Sequence, residues 1–269
     1  MDGEVAFAIL LVSHGNLHLS GRSSPIALSI PGDLPTLKYV DGVNFVRVKR
    51  SFSMKRSGSV AKTIEGWFDH LRAEGARRLR LMFGEEVGAE QRHTIEGLGS
   101  RFLGIQVDYE SRGEFWVPDW SAQGHFWQQR IWRVTVNGAE VTCPMPPSRV
   151  DLEAAKIDLR DALKAAIDVA GKMEVDDFAT RFHKGLAALD SDMPVPPYYP
   201  EIIQPFGYGL PARQLIAGAS YGWVFGGMGS WNDIGSNDAA VEREYEEVTE
   251  KLRHSVKRGL TEGVNSFRL

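Results

Sequence analysis

The 269-residue chain contains one cysteine and no strong excess of either charge. Cys143 alone cannot form an internal disulfide, and it cannot supply the cysteine pairs of a zinc finger. The formal net charge of −4 does not call for a polyanionic partner. Hydrophobic residues make up 43% of the sequence, as in ordinary globular proteins. These properties predict a soluble, cytoplasmic protein without a disulfide scaffold.

Long hydrophobic runs are also absent. The run VAFAILLV (residues 5–12) is too short to span a bilayer, and acidic residues precede it where a signal peptide has basic ones. We therefore expect no membrane span. A continuous apolar run of this length is typical of a strand covered on both faces, so it predicts a buried strand.

The first half of the chain has mostly strand-like patterns. NFVRVKRSF (44–52) nearly alternates, and apolar residues at helical spacing predict one helix between a cap at Ser59 and a stop at Gly75. RRLRLMF (77–83) follows as a strand. The strongest local signal is Asn137-Gly138 between two alternating runs, which predicts a β-hairpin with a two-residue turn.

The second half has mainly helical periodicity. A helix is predicted after Ser148 and Asp151, a second from about Asp177, and a last one over 238–262. A proline-rich stretch from 191 to 211 predicts irregular structure, and the uncharged stretch 215–229 fits either helix or strand. We expect an α+β protein in which a β-rich region (1–145), with a mixed or antiparallel sheet and one or two helices, packs against a mainly helical region (148–269). A single integrated domain is the alternative to two.

His14 is the first candidate catalytic residue, because it lies in AILLVSHG at the end of the expected strand. This opening resembles that of the sirohydrochlorin and cobalt chelatases, and more distantly the strand-Arg-His-Gly motif of histidine phosphatases. Both resemblances cover only about the first dozen residues. Ser13 stands where a phosphatase would carry the phosphate-binding arginine, and residues 16–32 have the pattern of strands and turns where a chelatase has a helix. The resemblance therefore transfers no activity.

The segment 114–132 contains several aromatic residues together with acidic residues. Tryptophans near acidic residues are typical of sites that stack on sugars or bases, and paired carboxylates could serve general acid/base chemistry. The segment supplies candidate catalytic residues Glu114, Asp119 and His125, and candidate ligand- or partner-binding residues Trp116, Trp120 and Trp127. Packing of a sheet core explains the same aromatic residues equally simply.

Two further segments carry weaker signals. Basic residues are concentrated in segment 47–80, where a surface cluster could contact phosphates, although no nucleic-acid-binding motif accompanies them. The glycine-rich stretch VFGGMGSWNDIGSND (224–238) lacks the lysine of a phosphate loop and joins an apolar element to the last helix. Trp231, Asn232 and Asp233 are its candidate binding residues, because a corner alone requires none of them.

No complete catalytic constellation, phosphate loop or metal cluster is present in the sequence, so we expect no metal and no cofactor. The leading hypothesis is a non-catalytic protein-interaction or assembly component that binds a protein partner or forms a homo-oligomer. The first alternative is a hydrolase or transferase with a site around 114–132. The second is nucleic-acid binding through segment 47–80, which the negative net charge disfavours.

Overall fold

A computed structural model describes residues 1–22, 24, 26–30, 32–49, 56–84, 98, 103–123, 129–141, 149–203, 207–227 and 229–268. The helices are α1 (Gly3–Leu19), α2 (Ile64–Ala73), α3 (Leu152–Lys172), α4 (Asp176–Asp190), α5 (Leu210–Gly222) and α6 (Ala239–Asn265). The strands are β1 (Val40–Lys49), β2 (Arg56–Ala61), β3 (Arg78–Phe83), β4 (Leu103–Asp108), β5 (Gly113–Ala122) and β6 (Trp132–Val141). Short 3-10 turns cover Pro200–Ile203 and Trp231–Asp233.

The fold is α+β, as predicted: the strands of a six-stranded mixed sheet lie in the N-terminal half, and the C-terminal half is mainly helical. The chain divides into two compact units. The sheet unit begins at Gly3 and contains α1, α2 and all six strands, whereas the helical unit contains Met1–Asp2 and Arg149–Arg268. The predicted boundary between 145 and 148 lies outside the described residues.

The sheet has the strand order β2-β1-β6-β5-β4-β3. β1 and β6 are parallel, and every other neighbouring pair is antiparallel. Over the described residues, the strand predicted in 44–52, the helix and the strand in 77–83 correspond to β1, α2 and β3, whereas β2 was not predicted and contains Val60, which was expected in the helix. Because β2 and β3 form opposite edges of the sheet, α2 belongs to a connection that crosses the whole sheet.

The predicted buried strand over 5–12 is wrong, because these residues lie in helix α1. Residues 16–19, for which strands and turns were expected, continue the same helix. Every residue from Val5 to Leu17 is buried. A helix that is buried on all sides has no polar face, so its sequence shows the same continuous apolar run as a buried strand.

The predicted hairpin at Asn137-Gly138 is also wrong, because β6 passes straight through both residues. Gly138 is paired with Trp116 of β5, and a Cβ atom at this position would lie 2.4 Å from the Trp116 indole. Glycine is therefore required by a close aromatic neighbour and not by a turn. Asn137 donates its side-chain amide to the carbonyl of Leu98 at 3.1 Å.

Helix α2 covers the centre of the sheet with its apolar face. Its N-cap is Thr63, not the predicted Ser59, and the Thr63 hydroxyl accepts a hydrogen bond from the Gly66 amide at 3.1 Å. Trp67 stacks on Phe45 with a ring-centre distance of 4.6 Å and meets Trp116 edge-on at 5.4 Å. This aromatic layer forms the core between α2 and the sheet.

The helical unit follows the sequence pattern closely. Asp151 caps α3, whereas Ser148 was the expected cap with Asp151 three residues later, and Asp238, one of the two expected candidates, caps α6. The open question over 215–229 is resolved as far as Gly222, because α5 ends there and the described residues that follow, 223–227 and 229–230, are irregular. Small residues allow these helices to approach closely: a Cβ on Gly218 would lie 2.6 Å from Leu189, and one on Gly222 would lie 2.8 Å from Val256.

Candidate functional site

The candidate residues from the sequence lie in several separate places. His14, Glu114, Asp119, Trp116 and Trp120 belong to the sheet unit. The helical unit contains Trp231, Asn232 and Asp233. His125 and Trp127 lie outside the described residues.

Glu114 lies at the centre of a buried polar network. Its side chain is 2% exposed, accepts hydrogen bonds from Arg112, Tyr109 and Trp116, and forms an ion pair with Arg47. Guanidinium nitrogens of Arg47, at 2.9 Å, and of Arg112 contact one carboxylate oxygen of Glu114. The other oxygen accepts from the Tyr109 hydroxyl at 3.1 Å and from the Trp116 indole N–H at 2.9 Å. With its oxygens saturated in this way, Glu114 is a structural anion and has no position open for a substrate proton.

Glu74, just after the end of α2, completes the network. Arg47 binds its carboxylate with two parallel hydrogen bonds of 2.8 and 2.7 Å, and Arg112 adds a third at 2.8 Å. The hydrogen bond from Arg47 is the main reason that the pKa of Glu74 is lowered to about 2. Burial, with the nearby Glu114 charge as a further cause, raises the pKa of the Tyr109 phenol. Two arginines and two glutamates therefore join β1, α2 and β5.

Gly138 makes this network possible. In the sheet register it lies between Arg47 of β1 and Trp116 of β5. Because the intervening strand β6 carries no side chain there, Arg47 can reach across it to Glu114 at 2.9 Å. The Arg47 guanidinium also lies 6.0 Å from the centre of the Trp116 ring.

The expected carboxylate pair does not form. Glu114 and Asp119 lie five residues apart on one strand, so they point to opposite faces and are separated by roughly 17 Å along it. Asp119 is exposed. Neither the spacing of retaining nor that of inverting glycosidases is met.

The described tryptophans of segment 114–132 are packing residues. Trp116 is fully buried. Trp120 is half-buried between Phe7 of α1 at 5.5 Å and Trp132 of β6 at 6.1 Å, both edge-on. Their rings stabilise the layer between the sheet and its two helices, and Trp116 has no exposed face for a ligand.

His14 lines a pocket between α1 and α2, which we name the α1–α2 pocket. The pocket has a volume of about 420 Å³ and is lined by His14, His18, Ser24, Ile26, Ala27, Leu28, Glu65 and Phe68. His14 Nδ1 lies 3.0 Å from the hydroxyl oxygen of Ser24, and His18 Nε2 lies 2.9 Å from a carboxylate oxygen of Asp69. Burial lowers the pKa of His14 to about 4, so its imidazole is neutral at physiological pH and a weak base.

The arginines of segment 47–80 are largely paired with acidic side chains. Arg47 binds Glu74 and Glu114, while Arg72 and Arg77 pair with Asp69 and Glu110 at 3.2 and 2.7 Å. Arg80, 5% exposed, forms two hydrogen bonds to Asp108 of 2.7 and 2.9 Å. The charges of these four arginines are therefore balanced within the fold.

Trp231 is an internal anchor of the helical unit. It is fully buried, donates its indole N–H to the Thr249 hydroxyl at 2.7 Å, and accepts a hydrogen bond from Tyr245 on its backbone carbonyl. Asp233 forms a capping box with Ser230. Asn232 is exposed and lies 3.4 Å from a guanidinium nitrogen of Arg253. Of the three predicted binding residues, Trp231 and Asp233 thus have structural partners that explain them.

An exposed apolar surface, which the sequence did not indicate, lies on the helical unit. Met193, Val195 and Tyr198 are 82%, 57% and 56% exposed, and we name these three residues the apolar strip. Pro194 and Pro196, between them, are buried. The segment is therefore held against the unit by its prolines while the larger apolar side chains point to solvent.

Hydrogen bonds fix both ends of the apolar strip. At the start, the Met193 amide donates to the Ser191 hydroxyl at 3.1 Å, and Gln214 of α5 donates to the Ser191 carbonyl at 2.9 Å. At the end, the Arg181 guanidinium lies 5.4 Å from the Tyr198 ring centre and donates to the carbonyls of Tyr221 and Trp223 at 3.0 and 3.2 Å. The strip is thus tied to Gln214 of α5 at one end and to Arg181 of α4 at the other.

A shallow pocket of about 400 Å³ adjoins the strip. Its lining residues are Asp177, Thr180, Arg181, Lys184, Pro197, Tyr198 and Tyr221. Asp177 and Lys184 are exposed on the same helix, α4, and neither has an ion-pair partner within the part of the chain that the structure describes. The apolar strip therefore has one free acid and one free base beside it.

Other classes of site find no support in the described ranges. No group of three or more His, Cys, Asp or Glu side chains there could hold a metal ion. No helix among these residues is long and apolar enough to cross a membrane. Searches with protein-family models, among curated proteins and among solved structures find no match to this chain.

Proposed function

We propose that this protein is a non-catalytic assembly component that associates with a second copy of itself through the apolar strip. The observation that carries the proposal is the exposure of Met193, Val195 and Tyr198 on one segment that is hydrogen-bonded at both ends. Because the segment is already ordered, little conformational entropy is lost when it binds. Exposed apolar side chains grouped in this way are typical of protein-interaction surfaces.

Charge complementarity supports a second copy as the occupant. Two-fold contacts are self-complementary, so residue i of one copy meets residue j of the other and the reverse. Asp177 and Lys184 lie two turns apart on α4, roughly 10 Å along its axis. A two-fold contact over the strip can therefore pair Lys184 of each copy with Asp177 of the other.

Sedimentation equilibrium of the full chain over a range of concentrations tests this proposal. The wild type is expected to show an average mass that rises toward that of a dimer. Val195→Asp, which places a charge in the apolar strip, is expected to weaken association about tenfold or more. The matched control is Ile157→Asp, because Ile157 of α3 is 58% exposed and lies outside the strip.

A charge exchange tests the two-fold geometry. Lys184→Asp places two acids against each other and is expected to weaken association, whereas the double variant Asp177→Lys/Lys184→Asp is expected to restore it. A wild type that stays monomeric at all concentrations, or an Ile157→Asp variant as impaired as Val195→Asp, would contradict the proposal.

A further inference from the structure

The α1–α2 pocket has the composition of a small-molecule site. Its volume of about 420 Å³ falls in the usual range for such sites, roughly 300 to 1,000 Å³. Phe68 and Leu28, each 2% exposed, supply apolar wall, and Ile26 and Ala27 extend it. The polar groups are few and converge from α1, α2 and the segment after α1, as in a site that orients one ligand.

Hydrogen bonds hold the polar wall of the pocket in place. The Ser24 hydroxyl donates to the Ile26 carbonyl at 2.7 Å and accepts from the Ile26 amide at 3.2 Å. Because its hydrogen is directed to that carbonyl, His14 Nδ1 is the donor in the 3.0 Å contact with Ser24. Because burial lowers the pKa of His14 to about 4, the pair is neutral at physiological pH and adds polarity to the pocket without charge.

The charge of the pocket is negative. His18 is matched by Asp69 at 2.9 Å, and His14 is neutral because burial lowers its pKa to about 4. Glu65, exposed in the first turn of α2, has no hydrogen-bond or ion-pair partner among the residues that the structure describes. Its carboxylate is thus the lining charge that a ligand can neutralise, and no lysine or arginine is among the described residues that line the pocket.

We propose that the α1–α2 pocket binds a small organic ammonium ion, with Glu65 as its anionic partner and Phe68, Ile26 and Leu28 around its apolar body. An ammonium group is a compact donor that matches one carboxylate, and the face of an aromatic ring attracts it further. A carboxylate or phosphate ligand would meet Glu65 with like charge and find no cation among the lining residues to offset it. This site is in the sheet unit and does not depend on the apolar strip.

Isothermal titration of the full chain with three probes of similar shape tests the ligand class. The probes are 2-phenylethylammonium, the neutral 2-phenylethanol and the anionic 3-phenylpropionate. The ammonium is expected to bind about tenfold or more tightly than the alcohol, and the carboxylate is expected not to bind. Equal affinity for all three, or no binding of the ammonium at millimolar concentration, overturns the proposal.

Two variants locate the binding site. Glu65→Gln is expected to remove the preference for the ammonium while retaining weak binding of the alcohol. Ala27→Trp keeps the charge but fills the pocket, so it is expected to abolish binding of both. The control is Glu110→Gln, because Glu110 is an exposed acid of the same unit outside the pocket. An unchanged affinity in Glu65→Gln, or a loss in Glu110→Gln as large, contradicts the assignment.

Discussion

The two units of the molecule place their charged residues differently. In the sheet unit, Glu114 and Arg80 are 1% and 5% exposed and are bound by oppositely charged partners inside the fold. In the helical unit the main ion pairs, such as Arg160 with Asp190 and Lys172 with Glu244, lie at the surface. Charge is thus buried in the first set of ion pairs and exposed in the second, although the helical unit also buries Glu201 and Lys257.

The two units also differ in how their cores are packed. The sheet unit fills its interior with large rings, among them Trp67, Trp116 and Phe45. The helical unit brings helices close together at glycines such as Gly218 and Gly222. Removal of the Glu114 charge should therefore cost far more stability than removal of the Asp190 charge, since Glu114 is buried and the Asp190 side chain is 60% exposed.

The largest effect is expected for Glu114→Gln. The change removes the charge that faces Arg47 and Arg112 and leaves two guanidinium groups with one carboxylate, that of Glu74. We expect the free energy of unfolding to fall by about 3 to 5 kcal/mol, measured by urea denaturation.

Glu110→Gln is the matched control for this prediction. Glu110 precedes Glu114 in the β4–β5 connection and pairs with Arg77, but its side chain is 79% exposed. Its loss should change the free energy of unfolding by less than about 1 kcal/mol. If the free energy of unfolding fell by a similar amount in the two variants, burial would not be the reason that Glu114 stabilises the fold.

The pH dependence of stability should also originate in the sheet unit. Burial lowers the pKa of His14 from 6.5 to about 4, whereas His183 and His254 of the helical unit are exposed. Between these two pKa values the unfolded chain binds a proton at His14 that the folded chain does not bind. Stability is therefore complete above pH 6.5 and falls as the pH decreases toward 4, by about 2 kcal/mol between pH 8 and pH 5.

His14→Asn tests this effect, because asparagine keeps a donor near the position of Nδ1 but does not titrate. Urea denaturation of both proteins at pH 8 and pH 5 should show a smaller loss in the variant, by about 2 kcal/mol. Since any change in helix propensity is the same at both pH values, it cancels from this difference. An identical loss in the two proteins would mean that His14 is not the group responsible.

The helical unit was the more predictable from the sequence, for a physical reason. Its helices expose one face, so apolar residues recur at helical spacing and the caps Asp151 and Asp238 stand out. Helix α1 exposes no face over residues 5–17, and the period that would identify it is missing. The hairpin prediction at Gly138 was wrong because the glycine is required by Trp116 on another strand. A contact between two strands is not visible in the local sequence.

The candidate site was less predictable than the fold. The sequence predicted Glu114 as a catalytic candidate. Its structural role depends on Arg47 of β1 and on a network that includes Glu74 after α2, both far from it along the chain. The apolar strip lies in residues 191–199, the part of the proline-rich segment that is irregular as expected, whereas Pro200–Ile203 form a 3-10 turn and Leu210 begins α5. Which of its residues point outward depends on tertiary packing of Pro194 and Pro196, for which a single sequence has no periodic signal.

The smallest effect is expected for Asp190→Asn in the helical unit. Asp190 accepts two hydrogen bonds from Arg160 at 2.7 and 2.9 Å, a geometry as regular as that of Arg47 with Glu74. Its side chain, however, is 60% exposed, and as the last residue of α4 its negative charge faces the negative end of the helix dipole.

Solvent screening and this repulsion should offset most of the attraction to Arg160, so we expect the free energy of unfolding to fall by less than about 1 kcal/mol. The difference should shrink further in urea denaturation at high salt, because exposed pairs are screened. A loss of 2 kcal/mol or more that persists in high salt would require Asp190 to act as Glu114 does, and the contrast between the two units would then fail.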